Sequence, residues 1–166
     1  MKEINCSHLI EAKEADIQDI LEAMKRLHQE FPSHFFVPST AEELKDIIVG
    51  KHGFISLLKI QDQLAGGVIV VYPNEKTHYL SNHEFSQCAI IDSIFLDPQF
   101  RGQGIAQLLM KSALERLKGT PYIYASVAIQ NIPSQKLFQR HHFKIYEQKK
   151  LYNNYERYVF LLTKGH

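Results

Sequence analysis

The segment Phe95-Leu96-Asp97-Pro98-Gln99-Phe100-Arg101-Gly102-Gln103-Gly104-Ile105-Ala106 decides how this chain folds. An apolar strand breaks at a proline, and the chain re-emerges as a helix opened by two glycines. The first N–H groups of a helix have no intrahelical partner and lie at the positive end of its dipole, so a phosphate held there meets both needs. Glycines at 102 and 104 let the backbone curl around phosphate oxygens, and Arg101 adds a permanent cation. Upstream, Ala89 to Leu96 is a nearly continuous apolar run of strand length, broken only by Asp92 and Ser93, as expected of a central strand. Downstream, Ile105, Leu108, Leu109, Ala113 and Leu117 form one helical stripe, closed by Arg116, Lys118, Gly119 and Pro121.

Two phosphate motifs do not fit. A P-loop needs G-x-x-x-x-G-K-[ST], which is absent, and a dinucleotide fingerprint needs a third glycine where Gln107 stands. The block Arg101-Gly102-Gln103-Gly104-Ile105-Ala106 instead resembles the R/Q-x-x-G-x-G/A acyl-CoA loop of the GCN5-related N-acetyltransferases. A second block follows a strand at Tyr122 to Ile129: Gln130-Asn131-Ile132-Pro133-Ser134-Gln135-Lys136-Leu137-Phe138 resembles the family's N-x-x-(A/S)-x-x-(L/F)-(Y/F) helix. Asn131 precedes that helix, Pro133 suits its first turn, and Leu137 and Phe138 are expected to face inward.

The rest of the chain reads outward from these blocks. Asn5 to Lys13 is a first strand, and Asp16 to Glu30 a helix burying Ile17, Ile20, Leu21, Met24 and Leu27. Thr40-Ala41-Glu42-Glu43 is a capping box opening a second helix through Ile48. Phe54 to Ile60 and Leu64 to Tyr72 form a hairpin around Gln61-Asp62-Gln63. A polar stretch, Pro73 to Gln87, leads to the central strand, and two last strands, Lys144 to Leu151 and Tyr155 to Thr163, meet at Asn153-Asn154. The expected fold is α/β, a mixed, mostly antiparallel twisted sheet of about seven strands with four helices, with a parallel pair across the strand–helix–strand unit from Ala89 to Ile129. This order is also that of the resembled family, in which the two strands flanking the phosphate socket splay and the pantetheine arm lies between them.

At 166 residues and 45% apolar content, one domain over 1–166 is expected. No run approaches a membrane span and no leader pattern opens the chain, so the expected location is cytoplasmic. A net charge of +1 without a basic block speaks against nucleic acid or an anionic membrane as partner. Residues Arg140 to Lys150 form a modest basic cluster, a solvated face from which Lys136 and Arg140 could also meet phosphates. Cys6 and Cys88 are too few for a disulfide framework or metal site. The nine histidines form no H-E-x-x-H or Cys-His spacing, so no metal is expected.

The resemblance implies acetyl-CoA as co-substrate, contacted by Ile94, Phe95, Leu96, Arg101, Gly102, Gln103, Gly104, Ile105, Ala106, Asn131, Ser134 and Phe138. By the same resemblance the amide of Ile94 would meet the thioester oxygen, and Leu96 would pair with pantetheine like an added strand. Acyl transfer to an amine also needs a base. Asp92 is the only acid in the apolar strand, nine residues before Arg101, where several family members place a base. An ordinary aspartate, with a pKa of about 3.9, would need a water or partial burial to serve, and a strand aspartate can equally bond its neighbours. His83 and Glu84 are reserves. Two positions depart from the family: Phe138 replaces the tyrosine that often protonates the leaving thiolate, leaving Tyr146, Tyr152 or water, and His142 stands where glycine is common.

Phe31, His34, Phe35, Phe36, His78, His83 and Tyr152 fall in segments expected to shape an aromatic acceptor pocket. Without a nucleophilic cysteine near the thioester, direct attack by the amine in a ternary complex is the expected route. The acceptor's identity stays open between small amine and peptide, and monomer and homodimer are both compatible with the pattern. A non-catalytic acyl-CoA-binding module is the alternative activity.

Overall fold

The computed structural model describes residues 8–30, 37–74, 83–151 and 155–163. The elements run β1 (Leu9–Glu11), α1 (Ile17–Glu30), α2 (Ala41–Ile48), β2 (Gly53–Ile60), β3 (Gln63–Val71), β4 (Cys88–Leu96), α3 (Ile105–Arg116), β5 (Tyr122–Ala128), α4 (Ile132–Arg140), β6 (Lys144–Leu151) and β7 (Tyr155–Thr163). The strands form one seven-stranded sheet in the order β1-β2-β3-β4-β5-β7-β6. Only β4 and β5 pair in parallel, and β4 is the middle strand.

Within the described residues, β1 is shorter than the run from Asn5 to Lys13. Lys13 already turns out of the sheet, its N–H donating to Asp16 Oδ2 at 2.8 Å to start a short 3-10 turn ahead of α1. The β2–β3 turn is tighter than the sequence suggests. Ile60 pairs with Gln63, and Gln61 and Asp62 both have positive φ, 52° and 63°, the primed geometry whose twist matches the flanking strands. The capping box at Thr40 is present, its Oγ1 accepting from Glu43 N at 3.1 Å and Glu43 Oε1 bonding back.

Each face of the sheet carries its own core. On one side α3 and α4 pack through Ile105, Leu109, Met110, Ala113 and Phe138 against Val68, Ile91, Ile123 and Phe160. The predicted α3 stripe holds with one change: Met110 is buried where Leu108 is only half-buried. On the other side α1 and α2 cover Ile55, Leu57, Ile69 and Phe95 through Ile20, Met24, Leu27, Leu44 and Ile47.

Two irregularities place the functional residues. First, Val70 pairs with Ile91 and Ile69 with Ser93, so Asp92 is an extra residue, a β-bulge that breaks the strand's alternation. Ala89 and Ile91 belong to the α3-side core, and so do Ile94 and Leu96, while Phe95 belongs to the α1-side core. Second, β4 and β5 pair only over Cys88–Ile90 with Tyr122–Tyr124, although β4 continues to Leu96 and β5 to Ala128. Beyond Ile90 the two strands diverge.

Candidate active site

The divergence of β4 and β5 opens a cleft of about 1020 Å³ that runs from the start of α3 to the floor between α2 and β7. At one end, α3 begins at Gly104, whose φ of 75° and ψ of 15° are left-handed, and Gly102 has a φ of 81°. Neither conformation suits a residue with a Cβ. A Cβ built on either glycine meets nothing within 4 Å, so the space they leave is open rather than filled by the protein. As N-cap, Gly104 supplies no side chain to the first turn, and the first ladder bond is Leu108 N–H to Gly104 O at 3.1 Å. The earlier N–H groups of α3 therefore face the cleft without an intrahelical acceptor. Arg101, Lys136 and Arg140 line this end. Arg101 also pairs with Glu30 at 2.9 Å, which holds it against α1. An anionic, extended ligand with phosphates at the α3 terminus fits this donor set.

The turn is held by its own contacts. Asp97, almost buried, accepts from Gln99 N–H at 3.2 Å and from Arg26 at 3.2 Å, while its N–H donates to Ala65 O at 2.8 Å. At the other wall Asn131 caps α4, accepting from Ser134 N–H at 3.4 Å, with Pro133 in the first turn. Phe138 is buried between the ring of Phe143, edge-on at 5.0 Å, and Phe160, stacked at 5.9 Å. Only hydrocarbon is offered where the resemblance expected a hydroxyl.

At the other end, Asp92 lines the cleft together with Glu43, Ser126 and Arg157. Its side chain is exposed along the cleft, yet its carboxyl is crowded by the surrounding protein. That burial, with Glu43 nearby adding to it, raises its pKa to about 6, against a smaller downward pull from Arg157. Arg157 is only 7% exposed, and its guanidinium is anchored by Nε to Ser126 Oγ at 3.1 Å and Nη2 to Ser126 O at 3.0 Å.

Of the predicted contact residues, Asp92, Ile94, Leu96, Arg101, Gly102, Gly104, Ile105, Ala106, Asn131, Ser134 and Phe138 line this one cleft. Phe95 and Gln103 do not. The parity change at Asp92 turns the Phe95 ring into the α1-side core, and Gln103 points to solvent from the tip of the turn. His83 lies elsewhere, stacked on Tyr122 at 3.6 Å and bonded to the buried hydroxyl of Tyr124, whose pKa burial pushes up. Neither His83 nor Glu84 lines the cleft, nor does Tyr146, which packs edge-on against Tyr124 at 5.8 Å. Phe31, His34, Phe35, Phe36, His78, Tyr152 and Cys6 lie outside the described residues. Cys88 is buried, its Sγ 3.2 Å from Glu84 O. Among the described residues no group of His, Cys, Asp or Glu could hold a metal, and no helix is long and apolar enough to cross a membrane.

A family model described as Acetyltransferase (GNAT) family matches residues 21–143, well over half of the chain. The chain belongs to this family. An N-acetyltransferase from Staphylococcus aureus Mu50 superposes with a TM-score of 0.72 at 20% identity, over 95% of this chain and 98% of that one. The ribosomal-protein-S18-alanine N-acetyltransferase from Escherichia coli gives 0.73 at 14% identity, over 95% and 94%. YncA from Salmonella typhimurium, solved with its cofactor acetyl-CoA, gives 0.73 at 14%, over 95% and 94%. At these identities the likeness speaks for the fold. No curated protein matches the chain significantly.

Three parts of this GNAT site escape sequence reading. Arg157 shares the inward parity of Val159 on β7, and an arginine there is the one available signal. Glu43 is absorbed by its role in the capping box. Gln107, at the missing third glycine, lines the cleft, and its Oε1 lies 2.6 Å from His141 Nε2. Burial, then the charges of Arg140, His142 and Lys111, lowers the His141 pKa. This bond ties the first turn of α3 to the end of α4.

Proposed function

We propose that this protein transfers the acetyl group of acetyl-CoA to a primary amine by direct attack in a ternary complex, within one domain spanning 1–166. The observation that carries the reading is the single cleft joining the open glycine turn to Asp92 through the gap between β4 and β5. Acetyl-CoA supplies an activated acyl thioester. Arg101, Lys136 and Arg140, with the N–H groups of α3, would hold its phosphates, and the exposed edge of β4 at Ile94 and Leu96 would pair with its amide-bearing arm. The Ile94 N–H would donate to the thioester oxygen as charge gathers there.

Asp92 would take the proton that the amine must lose. A carboxylate with a pKa of about 6 is a stronger base than an ordinary aspartate while still largely ionised at neutral pH. As the amine nitrogen forms its bond to the carbonyl carbon, the carbon–sulfur bond breaks and CoA leaves as thiolate. With Phe138 unable to donate, the thiolate takes its proton from water. The products are the N-acetylated amine and CoA thiol.

Phe138 also favours a second reading, a protein that binds acyl-CoA without turning it over. Calorimetric titration with acetyl-CoA, beside CoA, ATP and NAD, tests the shared step, and saturable binding of only the CoA compounds is expected. Release of CoA thiol on adding amines, lost in Asp92→Asn while binding persists, supports the transferase. Binding without release for any amine leaves the second reading, and no CoA binding by a folded sample overturns both.

A further inference from the structure

Resting on the transferase reading, we propose that the acceptor is a free amino acid with an apolar side chain, its carboxylate held by Arg157 and its amine presented to Asp92. The charges of the cleft divide into two groups. Arg101, Lys136 and Arg140 belong to the α3 and α4 end, where phosphates fit. At the opposite end, on the other face of the sheet, the charged lining residues among those described are Glu43, Asp92 and Arg157. A site for a simple amine needs the carboxylates, and there Arg157 would act only through Ser126 and its pull on Asp92. A second ammonium, as on a polyamine, would be repelled by Arg157. A peptide amino terminus would bring a neutral amide to the place where a carboxylate meets the guanidinium.

Arg157 is built for a fixed contact. It is nearly buried, and Ser126 holds its Nε and Nη2 through a hydroxyl and a carbonyl, so little rotamer freedom remains to be lost when an anion arrives. Among the described residues the same cleft is also lined by Leu27, Val37 and Pro38, which offer no charge to an acceptor side chain. An acceptor with ammonium, carboxylate and a short apolar group matches each surface in turn. The same chemistry separates this protein from transferases acting on protein termini.

The test uses alanine, leucine and phenylalanine, each beside its α-amide, as acceptors in a CoA-thiol release assay on the full chain. At least one acid is expected to exceed its amide in kcat/KM by about tenfold or more, since a charge-assisted contact of this kind is worth about 10- to 150-fold. Arg157→Gln is expected to raise KM for the acid far more than for its amide, collapsing the ratio toward one. Thermal unfolding and acetyl-CoA titration of Arg157→Gln and of Arg157→Lys separate this from misfolding. Calorimetric titration of the same six compounds into the CoA-saturated protein reads the preference without turnover. If no compound is acetylated but an acid still binds better than its amide, the transferase reading fails and the carboxylate contact stands. Equal binding and equal turnover of every acid and amide, or an equal loss on both in Arg157→Gln, would overturn the proposal.

Discussion

Replacing Gly104 by alanine separates the two reasons a helix can open on a glycine. The residue sits at φ 75°, where a Cβ costs about 1–2 kcal/mol in backbone strain, and the space around that Cβ is open for 4 Å, so no packing is lost. For a chain of this length the strain corresponds to a fall in Tm of roughly 2–8 °C, small enough to leave a folded protein. The new methyl group, however, projects into the cleft at the N-terminus of α3. Losing one charge-assisted bond between phosphate and backbone, worth about 1.5–3 kcal/mol, weakens acetyl-CoA binding roughly 10- to 150-fold. Gly67 is the control. There a Cβ would lie 2.7 Å from the buried Phe95 ring and 2.9 Å from Leu57, so Gly67→Ala overpacks the core by about 1–3 kcal/mol with no direct effect on binding. Calorimetric titration with acetyl-CoA beside circular-dichroism melts reads both quantities. If Gly104→Ala loses stability as expected but binds acetyl-CoA as well as the parent, the turn is structural and the phosphate argument is refuted.

Four further outcomes follow from the same geometry. His142 holds a φ of 73° at the end of α4, where its N–H bonds Gln139 O at 3.0 Å and the Phe143 N–H bonds Phe138 O at 3.1 Å, a glycine-type cap; His142→Gly should therefore stabilise by about 1 kcal/mol in urea titration. Phe138→Ala, which empties the space between Phe143 and Phe160, should cost about 3–5 kcal/mol in the same assay. The rate with a neutral-amine acceptor should fall below pH of about 6 as Asp92 protonates, and the limb should vanish in Asp92→Asn. The stability sign is opposite. Because folding raises the Asp92 pKa above its model value of 3.8, stability is lost as pH rises from there through about 6, so Asp92→Asn should melt higher than the parent at pH 8 and not at pH 3.

Wherever one local rule governs a segment, the sequence is a good guide to it. The final hairpin, the capping box at Thr40 and the Asn131 cap follow from alternation and side-chain chemistry alone. What a local rule does not reveal has a different cause. The resemblance implies a cofactor contact at Phe95, but which face its ring takes depends on the bulge at Asp92, and a bulge is a property of two strands in register. Arg157 reaches the site through Ser126, 31 residues away in sequence, and His141 reaches Gln107 across 34. Only the pairing of β5 with β7, and of α3 with α4, brings these side chains together.

The bulge also explains why fold and site are inseparable. Strict alternation would put Asp92 on one face with Ile94 and Leu96. With the extra residue, Asp92 keeps the face of Ile90, toward α2 and β7, while Ile94 and Leu96 turn to the face of α3. One strand thus serves both ends of the cleft, presenting an acid at one and leading directly into the glycine turn at the other. The local kink accompanies the loss of pairing with β5 beyond Ile90. Backbone N–H and C=O groups along that edge then have no neighbouring strand, and buried main-chain groups do not stay unpaired without cost. An extended, amide-bearing chain laid between β4 and β5 would restore the missing partners. A ligand without such groups would leave that edge to water, so under the proposed reading the slot itself, and not only the glycines, would favour an acyl-pantetheine carrier over a nucleotide alone.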